Sequence, residues 1–338
     1  MHLPTPLPDG FDARPTRLDD AAAVAEQLNA CSIADTGSPG THPDELRSDW
    51  QQPSVDLAND SIVVLAPDGA IAGHAIVWDG APHVRPHLSA DVHPAYRGRG
   101  IGAALCAWGE ARAQQAIPRA PEGARVAVRE FILGTDEAAR HLLGARGFVL
   151  VRHNLRMLIE LEAPPPEPQV PEGLSIRSFV RGQDEETFAV AMQEGFRDSW
   201  GFIETPLEED LREWKAFMEH TPHFDPKLFL LAMDGQRIAG TLCGISQPGE
   251  SPNKGWIFGL CVLRPWRRRG LAQALLLHSF GQLYDRGMWR IGLGVDADSL
   301  TGATHLYEKV GMRVERRHEL WEKELRPGIE SATQRLNE

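Results

Sequence analysis

The stretch Val262-Leu263-Arg264-Pro265-Trp266-Arg267-Arg268-Arg269-Gly270-Leu271-Ala272 decides how this chain is read. It continues a nearly unbroken apolar run from Trp256 and leads into Ala274-Leu275-Leu276. That is the pattern of a buried strand, a tight basic turn closed by glycine, and the start of a helix. Such a turn presents successive backbone N–H groups at the positive end of a helix dipole, which suits a pyrophosphate. Glycine lets the main chain approach the phosphate, and the arginines add charge. Upstream, His93-Pro94-Ala95-Tyr96-Arg97-Gly98-Arg99-Gly100-Ile101-Gly102 has the same design.

The two turns belong to a longer repeat. Pro8-Asp9-Gly10-Phe11 with Arg14 returns as Pro171-Glu172-Gly173-Leu174 with Arg177. Leu65-Ala66 before Asp68-Gly69 returns as Leu231-Ala232 before Asp234-Gly235, and Leu142 with Gly147 returns as Leu306 with Gly311. Four matches in one order at a nearly constant interval indicate a duplicated domain, and the period is far too long for a solenoid. Between the copies lies LEAPPPEPQVPEG, Leu161 to Gly173, whose prolines bar it from a helix or a central strand. The expected division is therefore 1–162, a linker at 163–172, and 173–338. In the second copy the patterning predicts helices over 184–196, 207–218, 270–284 and 301–310. It predicts strands over 228–233, 238–245, 256–263 and 290–295, with two closing strands to about Leu325. This is a mixed α/β unit on one sheet.

Both basic turns resemble the Arg/Gln-x-x-Gly-x-Gly/Ala signature of the GNAT acyltransferase superfamily. The second copy adds Ala303-x-x-Leu306-Tyr307-x-x-x-Gly311-Met312, which is similar to that family's next helix and strand. The resemblance implies two tandem GNAT folds, each a mixed, mostly antiparallel sheet flanked by helices, and it implies acetyl-CoA as co-substrate. It carries the pyrophosphate-binding role to Arg97, Gly98, Arg99, Gly100, Ile101 and Gly102, and to Arg267, Arg268, Arg269, Gly270, Leu271 and Ala272. Pantetheine contacts fall to backbone groups of Cys261, Val262 and Leu263. Gly98-x-Gly100-x-x-Ala103 also fits a loose dinucleotide-binding fingerprint, but Arg268 replaces its first glycine in the second copy, where the GNAT pattern persists.

The implied reaction is direct attack of a substrate amine on a thioester. The amine must lose a proton, the oxyanion needs a donor, and the departing thiolate needs an acid. Tyr307 stands at the family's catalytic tyrosine position, although Ala303, Leu306, Tyr307 and Val310 also share one helical face and suit a core. The first copy has Leu143 there, which cannot donate a proton. Its expected role is acyl-CoA binding without turnover, or structural support. No carboxylate occupies Trp256-Ile257-Phe258-Gly259, so Asp296, Asp298 and His223 are candidate bases, with proton removal through a water chain an equal alternative, and Asp298 or Ser299 equally suits a helix cap. Asp198, Trp200, Glu204 and Glu208 are candidates for the amine site. The tandem plan, and Phe196-Arg197-Asp198-Ser199-Trp200-Gly201, resemble the mycothiol synthase branch. A non-catalytic acyl-CoA sensor is the alternative of a different class.

Bulk composition sets the bounds. A chain of 338 residues at 42% hydrophobic and 24% charged residues suits two domains with their own cores. A net charge of −12 disfavours nucleic acid and is compatible with a cationic small substrate. Cys31, Cys106, Cys243 and Cys261 show no metal-ligand spacing, so no metal is expected and a reducing cytoplasm is. No stretch is long and apolar enough for a membrane span. Fusion of two copies favours a monomer.

Overall fold

The structure, a computed structural model, describes residues 3–222, 224–246 and 251–336. The chain forms two compact units. One comprises residues 1–151, 220–222 and 319–331, and the other 152–219, 223–318 and 332–338.

In the first unit the order is β1 (Asp12–Pro15), α1 (Ala21–Thr36), α2 (Pro43–Trp50), α3 (Leu57–Asp60), β2 (Ser61–Leu65), β3 (Ile71–Trp78), β4 (His87–Val92), α4 (Ile101–Ala113), β5 (Val126–Leu133) and α5 (Glu137–Ala145). The strand β6 (Val149–Glu160) follows. Strands β1 to β4 pair antiparallel in sequence order, and β4 pairs parallel with β5. Leu88 of β4 and Leu105 of α4 lie in one core with Val128 and Ile132 of β5.

The second unit repeats this plan with β7 (Ser175–Ser178), α6 (Glu185–Phe196), α7 (Leu207–His220), β8 (Phe229–Asp234), β9 (Arg237–Ser246), β10 (Lys254–Val262), α8 (Leu271–Tyr284), β11 (Arg290–Asp296), α9 (Ala303–Lys309) and β12 (Arg313–Arg326). Strands β7 to β10 are antiparallel neighbours, and β10 and β11 are parallel. The α6 helix covers one face of β10, where Gly195 leaves no room for a side chain against Cys261. The α8 helix covers the other, with Leu283 against Gly255. Each predicted helix and internal strand of this copy is present within a few residues of its expected ends. No helix among the described residues is long and apolar enough to cross a membrane.

The closing strands depart from expectation. The predicted pair at the end of the second copy is a single strand, β12, and only its residues up to His318 belong to the second unit. From Glu319 onward it belongs to the first, where Trp321 and Leu325 pack on that unit's core and Arg129 Nε donates to Glu322 at 2.8 Å. Conversely, residues 152–160 of β6 belong to the second unit and pair antiparallel with β11, from Arg290↔Glu160 to Asp296↔Asn154. Met157 is fully buried in that core, beside Leu155 and Ile159. The compact units therefore do not part at 163–172. Apolar side chains on each closing strand find their burial in the unit built mainly from the opposite half of the chain.

Candidate active site

The two basic turns are conformational duplicates. Each begins with a short 3-10 turn, Pro94–Tyr96 or Arg264–Trp266, and ends at a left-handed glycine that caps a helix, Gly100 (φ 93°) or Gly270 (φ 86°). Two residues earlier the backbone is again left-handed, at Gly98 (φ 77°) in one unit and at Arg268 (φ 63°) in the other. Neither helix has a side chain capping its first turn. The leading N–H groups of α4, from Ile101 and Gly102, and of α8, from Leu271 and Ala272, are thus left for an anion.

The leading arginines do something other than reach outward. Arg97 Nε donates to the Val92 carbonyl at 3.2 Å, and its two terminal nitrogens grip Asp35 at the end of α1, at 2.8 and 2.7 Å. Arg267 Nε donates to the Val262 carbonyl at 2.8 Å, and Nη1 reaches Asp198 just after α6. Arg264 adds a second fork onto Asp198, with Nε at 2.9 Å. Asp198 is 2% exposed, and hydrogen bonds from Arg264 and then Arg267 hold its carboxyl down at about 2. Arg97 and Arg267 therefore brace the turn against the first helix of their unit. Arg97 and Arg264 keep an exposed flank while doing so, and Arg99, stacked over Tyr96, and Arg268 with Arg269 are exposed on the turns as well. Asp198, proposed from sequence as part of an amine site, is instead the anchor of the turn. Residues 35 and 198 are displaced by the same interval as Pro8 and Pro171, so the repeat itself carried the signal for this pair.

Beside each turn two parallel strands part. β10 and β11 pair only from Lys254↔Arg290 to Ile257↔Leu293, although β10 runs on to Val262 and β11 to Asp296. β4 and β5 pair only at His87↔Arg129 and Leu88↔Glu130. N–H groups alternate sides along a strand. Because Leu263 N donates to Ala239 on β9 at 3.0 Å, Cys261 and Leu263 direct theirs toward β9. Val262 directs its own into the gap. Of the three residues expected to offer backbone groups to pantetheine, the alternation leaves only Val262 its N–H for that task. The Cys261 thiol is buried against Thr241, 3.1 Å away.

Tyr307 of α9 packs in the second unit's core with Leu306 and Val310. Its hydroxyl has no hydrogen-bond partner among the described residues, and burial pushes it up to about 12. Leu143 of α5 takes the same place in the first unit. Phe148 N bonds its carbonyl at 3.0 Å, as Met312 N bonds that of Tyr307. The first unit has in turn an acid that patterning did not single out. Glu130, 5% exposed, has its Oε2 buried without a partner, and burial raises its pKa to about 8. The register places Leu293 at the equivalent position of the second unit.

The remaining candidates are accounted for differently. Asp296 and Asp298 lie 3.8 and 3.5 Å from the Arg152 guanidinium, and Asp296 caps the turn by accepting from Asp298 N. Ser299 accepts from Ala303 N at 3.3 Å, which is the capping role. Trp200 donates to Gln334 and lies under Arg152, Glu204 pairs with Arg197, and Glu208 is in the first turn of α7. His223 lies outside the described residues.

Known proteins share both the sequence and the fold. The profile of the Acetyltransferase (GNAT) family matches twice, over residues 27–148 and 189–312. A mycothiol acetyltransferase of Salinispora arenicola is 32% identical over 317 residues, covering 88% of this chain and 93% of its own. A GCN5-related N-acetyltransferase from Sphaerobacter thermophilus superposes with a TM-score of 0.79 at 38% identity, over 96% of this chain and 99% of its own. A tandem GNAT protein from the clavulanic acid biosynthesis pathway shares the fold at a TM-score of 0.72 and 17% identity, covering 94% of this chain and all of its own. With two matched domains, two duplicated basic turns and two parting strand pairs, this chain belongs to the GNAT family of acetyltransferases.

Proposed function

We propose that the second unit transfers the acetyl group of acetyl-CoA to the primary amine of a small molecule, and that the first unit holds acyl-CoA or supports the fold without turnover. The observation that carries this reading is Tyr307 against Leu143: one hydroxyl without a partner among the described residues, one hydrocarbon, at matching places in the two units. In the second unit the pyrophosphate meets the α8 N-terminus, Arg268 and Arg269, and pantetheine runs into the gap between β10 and β11. The amine nitrogen attacks the thioester carbon, the tetrahedral intermediate collapses, and the carbon–sulfur bond breaks. The sulfur leaves beside Tyr307, whose O–H meets its negative charge, while the proton shed by the amine passes to solvent. A phenol pushed to about 12 stays protonated across the working range, so this donor is always loaded.

The relatives named mycothiol acetyltransferase favour a second reading of the acceptor, the amine of a cysteinyl group. Both readings need the same chemistry in the second unit. The test is release of free CoA across a panel of amines by wild type and by Tyr307→Phe, with acetyl-CoA binding followed in parallel. Turnover lost with binding retained is the expected outcome. Unchanged turnover would remove Tyr307 from the mechanism, and binding without turnover on every amine would favour an acyl-CoA sensor.

A further inference from the structure

The second unit carries a feature that the first lacks at the point where its strands part. The β3–β4 register of the first unit runs unbroken from Gly73↔Val92 to Trp78↔His87. The β9–β10 register of the second slips between Ile257 and Gly259, so Phe258 is an extra, bulged residue. The slip reverses which face the strand's side chains take. Gly255, before the bulge, abuts Leu283 of α8, whereas Gly259, after it, abuts Met192 of α6. Ile257, just before Phe258, makes the last pair with β11.

The bulge turns the Phe258 ring toward α7, as bulges beside functional sites often re-aim one side chain. Its centroid lies 5.4 Å from Phe217, 5.7 Å from Phe229 and 6.2 Å from Trp214, the last at an interplanar angle of 30°. Phe229 is fully buried behind these rings, while Phe258 is 36% exposed. Of the rings in this cluster Phe258 is the most exposed, Trp214, Phe217 and Phe224 being half-buried. Asp210 lies on the same face of α7 as Trp214 and Phe217, at spacings of four and seven, and is held by Gln193 Nε2 at 2.8 Å. An aromatic wall with a carboxylate one turn away complements a ligand that is flat and apolar at one end and cationic at the other.

Resting on acetyl transfer by the second unit, we infer that Phe258, backed by Trp214 and Phe217, forms the acceptor subsite and selects primary amines that carry an aromatic ring. The amine reaches the thioester from the α6–α7 side and lays its ring on Phe258, and Asp210 draws in its ammonium form.

The test compares kcat/KM for 2-phenylethylamine, propylamine and glucosamine in the full-length protein. The aryl amine is expected to exceed propylamine by about tenfold, the scale of one good ring–ring contact. In Phe258→Ala that ratio should fall toward one, and in Phe258→Tyr it should persist. Turnover with no aryl preference, a preference for glucosamine, or a ratio indifferent to Phe258→Ala would each overturn the inference while leaving acetyl transfer standing. Loss of turnover on all three amines in the wild type would instead count against the acetyl-transfer reading itself.

Discussion

The two units place different side chains on the same backbone plan. Each holds its basic turn by an arginine that bonds the end of the preceding strand and a carboxylate at the C-terminal end of the first helix. Each parts two parallel strands beside that turn. Around the turn and the gap they differ as Tyr307 for Leu143, Leu293 for Glu130, Arg268 for Gly98, and the bulged Phe258. A turn set by main-chain geometry keeps its conformation in both copies. In the proposed mechanism proton donation and acceptor choice rest on single side chains, and at those positions the copies differ.

The largest expected effect tests whether one hydroxyl separates the units. Tyr307→Phe should lower kcat by about 100-fold, the low end for a positioned proton donor, with little change in acetyl-CoA affinity. Because burial lifts the phenol to about 12, the wild-type kcat/KM should rise as the amine loses its proton, with no fall as pH climbs to 10. A descending limb near pH 9 would mean that some other group supplies the proton.

Glu130 is the converse case, an acid in the unit that has Leu143. Its pKa is raised to about 8 by burial, with Asp91 and Glu110 adding to the rise. The folded state therefore holds a proton that the unfolded chain sheds near the ordinary value of about 4.5. Stability is unpenalised below that value, declines as pH rises toward 8, and is lowest above it. Glu130→Leu, which copies Leu293, should remove this slope and stabilise the first unit by about 2–3 kcal/mol at pH 9. Urea denaturation at pH 5 and pH 9 measures it, and an unaltered slope would mean that the carboxyl gains a partner in solution.

The turn anchors should rank by burial. Asp198 is hidden beneath two arginines, whereas Asp35 and Arg97 are each partly exposed, at 33% and 41%. Asp198→Asn should cost about 2 kcal/mol and weaken acetyl-CoA binding to the second unit, while Asp35→Asn should cost less than about 1. The Asp198 carboxyl is held at about 2, below its ordinary 3.8, so its contribution is complete above pH 4 and is lost as pH falls toward 2. Thermal melts of both variants at pH 7 and pH 3 read the ranking, and equal losses would break it.

Much of this was legible in sequence because repetition doubles a weak signal. One arginine-glycine turn fits several folds, but two in matching order, the second followed by Ala303 to Gly311, fit one. The internal strands and helices of the second copy followed from local apolar periodicity. The strand exchange did not. Patterning suggests two closing strands where β12 is one, and nothing local states which unit's core will bury Met157 or Trp321. The inward pull of Arg97 and Arg267 was hidden for a related reason. An arginine beside a glycine-rich turn suggests a phosphate ligand, and only the fold shows that Asp35 and Asp198 arrive first. The bulge at Phe258 escaped because one residue added to an apolar run leaves its composition unchanged.

The smallest effect bears on the backbone of the turn itself. A left-handed conformation suits Gly98 but strains Arg268, whose φ is 63°. Arg268→Gly should relieve about 1 kcal/mol of that strain and raise the melting temperature slightly. It also removes an exposed cation from the mouth of α8, so acetyl-CoA should bind about threefold to tenfold more weakly. The reverse change, Gly98→Arg in the first unit, should destabilise by a similar amount. Calorimetric melts with acetyl-CoA titrations separate the two terms. A variant that becomes more stable and binds more weakly supports Arg268 as a residue kept for its charge at the expense of backbone comfort. One that gains stability with full affinity would show that the phosphates are held by the α8 N–H groups and Arg269, and that the arginine at 268 is no more used than the glycine at 98.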